Sequence, residues 1–177
     1  MSRLLHTLFF SLVVLATKAQ THKEYPPSVY PDRVILGWQG NPSTSQSVNW
    51  RTDSTVTSAV GAIVEADPSP DFISKASMVQ AITERVVLDG KTVHYHSVHF
   101  TNLKPATQYS YRVGDGTHWT EWFHFKTAKD QPAPFSFLYF GDAQNDIRSL
   151  WSRAIRGAYS TMPTANQKIH ACDLIKT

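Results

Sequence analysis

Between residues 32 and 126 the chain runs in short bursts of alternating apolar and polar positions, each stopped by turn formers. The alternation predicts strands at 33–38, 47–51, 59–65, 78–86, 93–102, 108–113 and 120–126. Gln39-Gly-Asn-Pro42, Asp67-Pro-Ser-Pro70, Asp89-Gly90 and Gly114-Asp-Gly116 punctuate them. Asp89-Gly90, between two β-rich runs, is a hairpin signal, because both residue types tolerate the positive φ that a tight two-residue turn requires. Short strands spaced this way predict an antiparallel β-sandwich. One run breaks its own period: Val93 and Tyr95 alternate, then Val98 and Phe100 do so one residue out of step. A bulge at Ser97-Val98 would return all four to one face.

Past residue 128 the pattern changes. Ala128 to Pro134 is a proline-containing break that reads as an interdomain linker. Residues 135–140 form an unbroken apolar run, as expected of a strand in a buried parallel sheet. Between 146 and 160, Ile147, Leu150, Trp151, Ala154, Ile155 and Ala158 recur at helical spacing, with Asn145 or Asp146 as N-cap. Met162-Pro163 ends the helix and 168–172 supplies a second strand. The sum is a βαβ unit with a right-handed crossover. The fold class is therefore mainly β: a sandwich followed by a partial α/β segment.

The first nineteen residues stand outside that fold. Arg3 supplies a positive start, Leu8 to Ala16 an apolar stretch, and Thr17-Lys-Ala19 small residues for cleavage before Gln20. The stretch is shorter than the ~20 residues a membrane span needs. Residues 1–19 are thus expected to be a signal peptide, 20–31 a polar, proline-rich lead-in, and the product secreted or held in the periplasm or cell envelope. Loss of Arg3 and Lys18 with the leader lowers the 17 basic residues to 15 against 14 acidic. The overall positive charge then argues for no anionic partner, and no basic cluster with interleaved aromatics suits nucleic acid. Cys172 is the only cysteine and Asn41-Pro-Ser is no usable glycosylation sequon.

The candidate chemistry lies at the ends of the two late strands. Strands of a βαβ unit run the same way, so Asp142 and Asp173 fall at one carboxyl edge, on strands ~4.8 Å apart. Such carboxylates suit hard or borderline cations. On spacing alone a second reading stands beside this one: Asp142 as a turn residue after Gly141, and Asp173 as the cap of a strand end. Other candidates have bland explanations. His94 and His96, with His99 and His124 near, could bind zinc, but solvent-facing histidines on an antiparallel sheet are the preferred reading. Trp119 and Trp122 with Tyr109 and Tyr111 could form a binding surface, but core and cross-strand pairs account for such residues more simply. Cys172, on a buried strand, reads as an inert small hydrophobe.

Two segments carry a resemblance. Leu103-Lys-Pro-Ala-Thr-Gln-Tyr109-Ser-Tyr-Arg-Val113 is similar to the tyrosine-bearing strand of fibronectin type III modules. That strand, then Gly141-Asp-Ala-Gln144, then Ile169-His-Ala-Cys-Asp-Leu-Ile175, together resemble a purple acid phosphatase. The resemblance implies a fibronectin-like N-terminal domain over 32–128, a linker at 129–134, and the start of a metallophosphoesterase domain over 135–177. It implies phosphate monoester hydrolysis at a centre of Fe(III) plus a divalent Fe, Zn or Mn. Asp142 would be a ligand of the iron and Asp173 would bridge both metals. The sequence departs from the family at Cys172, where a glycine is expected, and at Lys176, where the family's metal-binding tyrosine falls. The later Asn-His and His motifs do not occur before Thr177. The expectation is a truncated chain that lacks activity and does not retain the metals. The competing expectation, from another class, is a non-catalytic secreted β-sandwich for binding or adhesion.

Overall fold

A pleated strand sends successive side chains to opposite faces, so Val48 and Trp50 point one way and Asn49 the other; the first two are buried and Asn49 is exposed. The computed structural model in which this is seen describes residues 26–69, 71–88, 90–141 and 147–170. The expected signal peptide and the first half of the lead-in lie outside the described residues.

The strands are β1 (Asp32–Gly37), β2 (Gln46–Asp53), β3 (Val60–Glu65), β4 (Ser77–Gln80), β5 (Ile82–Leu88), β6 (Lys91–Phe100), β7 (Gln108–Gly114) and β8 (Phe123–Lys126). They form two antiparallel sheets, ordered β1-β2-β6-β5 and β4-β3-β7-β8. Val48, Trp50, Val98 and Phe100 from the first sheet meet Ile63, Tyr109, Tyr111, Val113 and Phe125 from the second in one apolar core. Tyr109 stacks on Phe125 at 5.6 Å between ring centroids, and burial pushes the Tyr111 phenol up to about 12. Tyr109 also closes the corner that precedes its strand, its hydroxyl accepting from the Lys104 N–H at 2.9 Å. This is the tyrosine corner of immunoglobulin-like sandwiches.

Two expectations need correction. Residues 78–86 are not one strand. The chain breaks at Ala81, whose N–H donates to the Ala59 carbonyl at 2.8 Å, so β4 pairs with β3 in one sheet and β5 with β6 in the other. Nor is there a bulge at Ser97-Val98: β2 and β6 hold one register from Gln46↔Phe100 through Asp53↔Val93. With constant alternation the positions that share a face with Val98 and Phe100 are His94 and His96, both buried. An irregularity falls instead in β1 between Asp32 and Ile35, where Arg33 takes φ +51°. There Asp32 is held by Arg51 across the strand pair, Nε–Oδ1 at 2.9 Å and Nη2–Oδ2 at 2.6 Å. The expected β5–β6 hairpin is present: Leu88 faces Lys91 and Gly90 has φ +74°. A 3₁₀ turn at Phe72–Lys75, which no periodicity announced, connects β3 to β4.

After the linker come β9 (Phe137–Phe140) and β10 (Gln167–His170), paired in parallel. A π-helical turn, Ile147–Trp151, runs into α1 (Ser152–Thr161). The helix stops at Met162, whose N–H still bonds the Ala158 carbonyl at 2.9 Å while its own backbone leaves the helical region. The expected caps Asn145 and Asp146 lie outside the described residues.

Candidate metal centre

The parallel register aligns Phe137 with Gln167 and Phe140 with His170, so both strands finish side by side. The chain leaves β9 at Gly141 and leaves β10 after His170 at one edge. Asp142, Asp173, Cys172 and Lys176, the residues singled out for this edge, lie outside the described residues. The strand ends Phe140 and His170 lie side by side, and hard, anionic oxygen donors follow them in sequence. Among the described residues no cluster of three or more His, Cys, Asp or Glu side chains could hold a metal ion.

Aromatic packing organises the edge. The Phe140, Trp151 and His170 rings form a trio, with centroids 5.2 Å apart for Phe140–Trp151, 5.3 Å for Phe140–His170 and 4.9 Å for Trp151–His170. They tie the start of the helix to the ends of both strands. The opposite side of the pair is uncovered: Phe137, Tyr139 and Ile169 are exposed, Tyr139 at 64%. Residues 135–140 were expected to be buried as in a many-stranded parallel sheet. Two strands and one helix have only one face to share, so alternate positions remain in water.

The other candidates separate. His94 and His96 are not solvent-facing. The His94 Nδ1–H donates to the Val56 carbonyl at 2.8 Å. His96 sits between two hydroxyls, Nε2 at 2.7 Å from Thr52 Oγ1 and Nδ1 at 2.9 Å from Thr83 Oγ1. His99 and His124 are exposed, and His124 pairs with Ser110 at 2.9 Å. The structure therefore does not gather the four histidines into one site. Tyr109 and Tyr111 belong to the core, whereas Trp119 and Trp122 flank the Arg112 guanidinium at 4.2 and 4.8 Å from their ring centroids. Arg112 lies on the other face of β7, so the four aromatics do not make one surface. Sequence reasoning missed Thr52, Thr83 and Arg112; counting back from Phe100 at constant period would have placed His96 inside. A groove of about 670 Å³ between β3, β4 and the end of β6 is lined by Glu65, Asp67, Lys75 and His99 among others. Its charges are paired, Lys75 with Asp67 at 3.3 Å and Glu65 with Lys104 at 2.6 Å, which leaves little net field for a ligand.

The two sheets, their shared core and the tyrosine corner define a fibronectin type III-like β-sandwich. The family description "Purple acid Phosphatase, N-terminal domain" matches residues 31–127, and the chain belongs to that family. Acid phosphatase type 7 of Danio rerio is 29% identical over 136 residues, covering 73% of this chain. The chain spans only 29% of that relative's length. Among solved structures, the chicken CNTN1 FN1–FN3 domains are 22% identical, covering 58% of this chain and 33% of theirs, with a TM-score of 0.40. PhoD is 17% identical, covering 83% of this chain and 28% of its own, with a TM-score of 0.49. Among the described residues no helix is long and apolar enough to cross a membrane.

Proposed function

We propose that the chain comprises the sandwich domain and the opening of the catalytic domain of an enzyme that hydrolyses phosphate monoesters at a binuclear metal centre. One observation carries the reading. A purple acid phosphatase N-terminal domain is followed by a parallel strand pair whose ends align at Phe140 and His170, immediately before Asp142 and Asp173 in sequence. Bound at this edge, Fe(III) and a divalent Fe, Zn or Mn would supply Lewis acidity toward the phosphate and an acidified water. Asp142 would hold the iron and Asp173 would be shared between the ions, each as an anionic oxygen donor. Phe140, Trp151 and His170 would keep the two strand ends in register behind them.

Cys172 and Lys176 weaken the site in these 177 residues. A Cβ beside the bridging carboxylate restricts the backbone that a glycine leaves free. A lysine ammonium near the ions opposes their charge.

The reading is tested by the transcript beyond codon 177. Gly-Asn-His and Gly-His-x-His coding sequence in any frame supports it. Their absence in all frames overturns it and leaves the second reading, a non-catalytic sandwich for binding or adhesion, which is favoured by a core that, among the described residues, draws on none beyond Phe125. The order of charged, apolar and small residues over 1–19 supports export. Protein recovered from the exported fraction should begin at Gln20.

A further inference from the structure

The inner face of β6 changes character along its length. Phe100 and Val98 enter the apolar core, while His96 and His94 continue the same face as a polar pair. His96 is opposite Trp50 on β2 and Thr83 on β5, so its ring lies between both neighbouring strands. Its hydrogen bonds fix its tautomer. The Thr52 hydroxyl donates to the Asp53 carbonyl at 2.9 Å, which leaves that oxygen only lone pairs for the imidazole 2.7 Å away. Nε2 therefore carries the proton and donates to Thr52. Nδ1 is left as an acceptor, and the Thr83 hydroxyl donates to it at 2.9 Å. The chain of donors runs in one direction, from β5 through β6 to β2.

We propose that His96, tautomer-locked between Thr52 and Thr83 and backed by His94, is an acid-sensitive latch that ties β5 and β2 to β6 and releases when the ring takes a second proton.

A proton on Nδ1 faces the Thr83 hydroxyl donor-to-donor, so Thr83 must turn away for the cation to be accommodated. The ring has almost no exposed surface and stacks near Trp50, with centroids 5.3 Å apart, so a charge there is poorly solvated. His94, its ring 6.2 Å away at right angles, adds Coulomb repulsion against a proton on His96. Of the charged groups on neighbouring elements, Glu84 on β5 is exposed and sits opposite Tyr95 in the strand pairing. On β5, Arg85 is exposed and donates to Thr92 at 3.0 Å. On β2, the Asp53 carboxylate accepts from the Thr55 N–H at 2.9 Å. The facing sheet brings Tyr109 and Tyr111 to its inner side, and Glu65 there is paired with Lys104.

Burial, and then His94, push the His96 imidazole from its ordinary 6.5 down to about 4. The folded state thus prefers the neutral ring. Its contribution is complete above pH 6.5, falls as pH drops through that value, and is exhausted below about 4, because over that window the unfolded chain binds the extra proton first. By linkage the unfolding equilibrium constant should rise by about a hundredfold between pH 7 and pH 4 from this group.

Urea unfolding of the full chain and of His96→Gln across that range tests the proposal, since glutamine donates and accepts without titrating. The expected result is a pH dependence about a hundredfold shallower in the variant. Parallel profiles would overturn the latch. A measurement on the unaltered protein does not depend on the variant folding. Nitrogen NMR of His96 should show an Nε2–H ring that stays neutral through pH 5. An Nδ1–H ring, or titration near pH 6.5, would overturn the proposal equally.

Discussion

The sandwich and the segment after the linker are built from similar proportions of aromatic and aliphatic residues, yet they bury them differently. In the sandwich, Val48, Trp50, Phe100 and Val113 have essentially no exposed surface. In the later segment α1 has no buried residue, and Phe135, Phe137 and Tyr139 lie in water. Two opposed sheets supply each other with a second wall, whereas a strand pair and one helix have a single wall between them. Hydrophobic composition is therefore not what makes a segment self-sufficient; the number of faces it can oppose is. The sandwich is a unit that holds its own core, and the described residues 135–141 and 147–170 display an apolar face.

Matched substitutions can break or sharpen this contrast. The largest effect is expected from Phe100→Ala, which empties the centre of the core and should cost about 3–5 kcal/mol. Tyr139→Ala, an aromatic truncation on the exposed face, should stay within about 0.5 kcal/mol. Urea midpoints of the two variants compare them directly, and equal losses would mean that the later segment is packed in solution. A smaller pair is Gly61→Ala against Gly157→Ala. A Cβ on Gly61 would come within 2.8 Å of Phe100 Cζ and 3.0 Å of Val98 Cγ1, an overpacking expected to cost about 1–3 kcal/mol. A Cβ on Gly157 meets nothing within 4 Å on an exposed helix, so there the alanine should gain about 0.5–1 kcal/mol of helix stability. Thermal melts of both, followed by circular dichroism, give the signs. A stabilised Gly61→Ala would contradict the packing described.

The same contrast governs how much was legible in the sequence. Strands whose inner positions are all apolar, such as the one carrying Tyr109, Tyr111 and Val113, are readable because the apolar alternation marks the face that packs in the core. The run from Val93 misled, because its inner positions are histidines, His96 satisfied by threonines on neighbouring strands and His94 by the Val56 carbonyl, and those partners are distant in sequence. Residues 78–86 read as one strand because alternation does not record which sheet a residue joins. The Ala81 break is set by a tertiary hydrogen bond to Ala59. Asp142 and Asp173 became candidates through resemblance and through the direction of the βαβ unit. The described part of that unit bears on them only through the alignment of Phe140 with His170.

The sheet change at Ala81 also bears on the order of assembly. β3 with β4, and β5 with β6, are antiparallel pairs close in sequence, one in each sheet, and Ala81 alone separates them. A single continuous stretch from Val60 to Phe100 can therefore lay down part of both sheets through short loop closures, which are entropically cheap. Pairings between residues far apart along the chain, such as Gln46 with Phe100 and Val60 with Gly114, then add strands to sheets already joined at a corner. A topology rich in distant contacts ordinarily folds slowly. Here one alanine offers a local route into it.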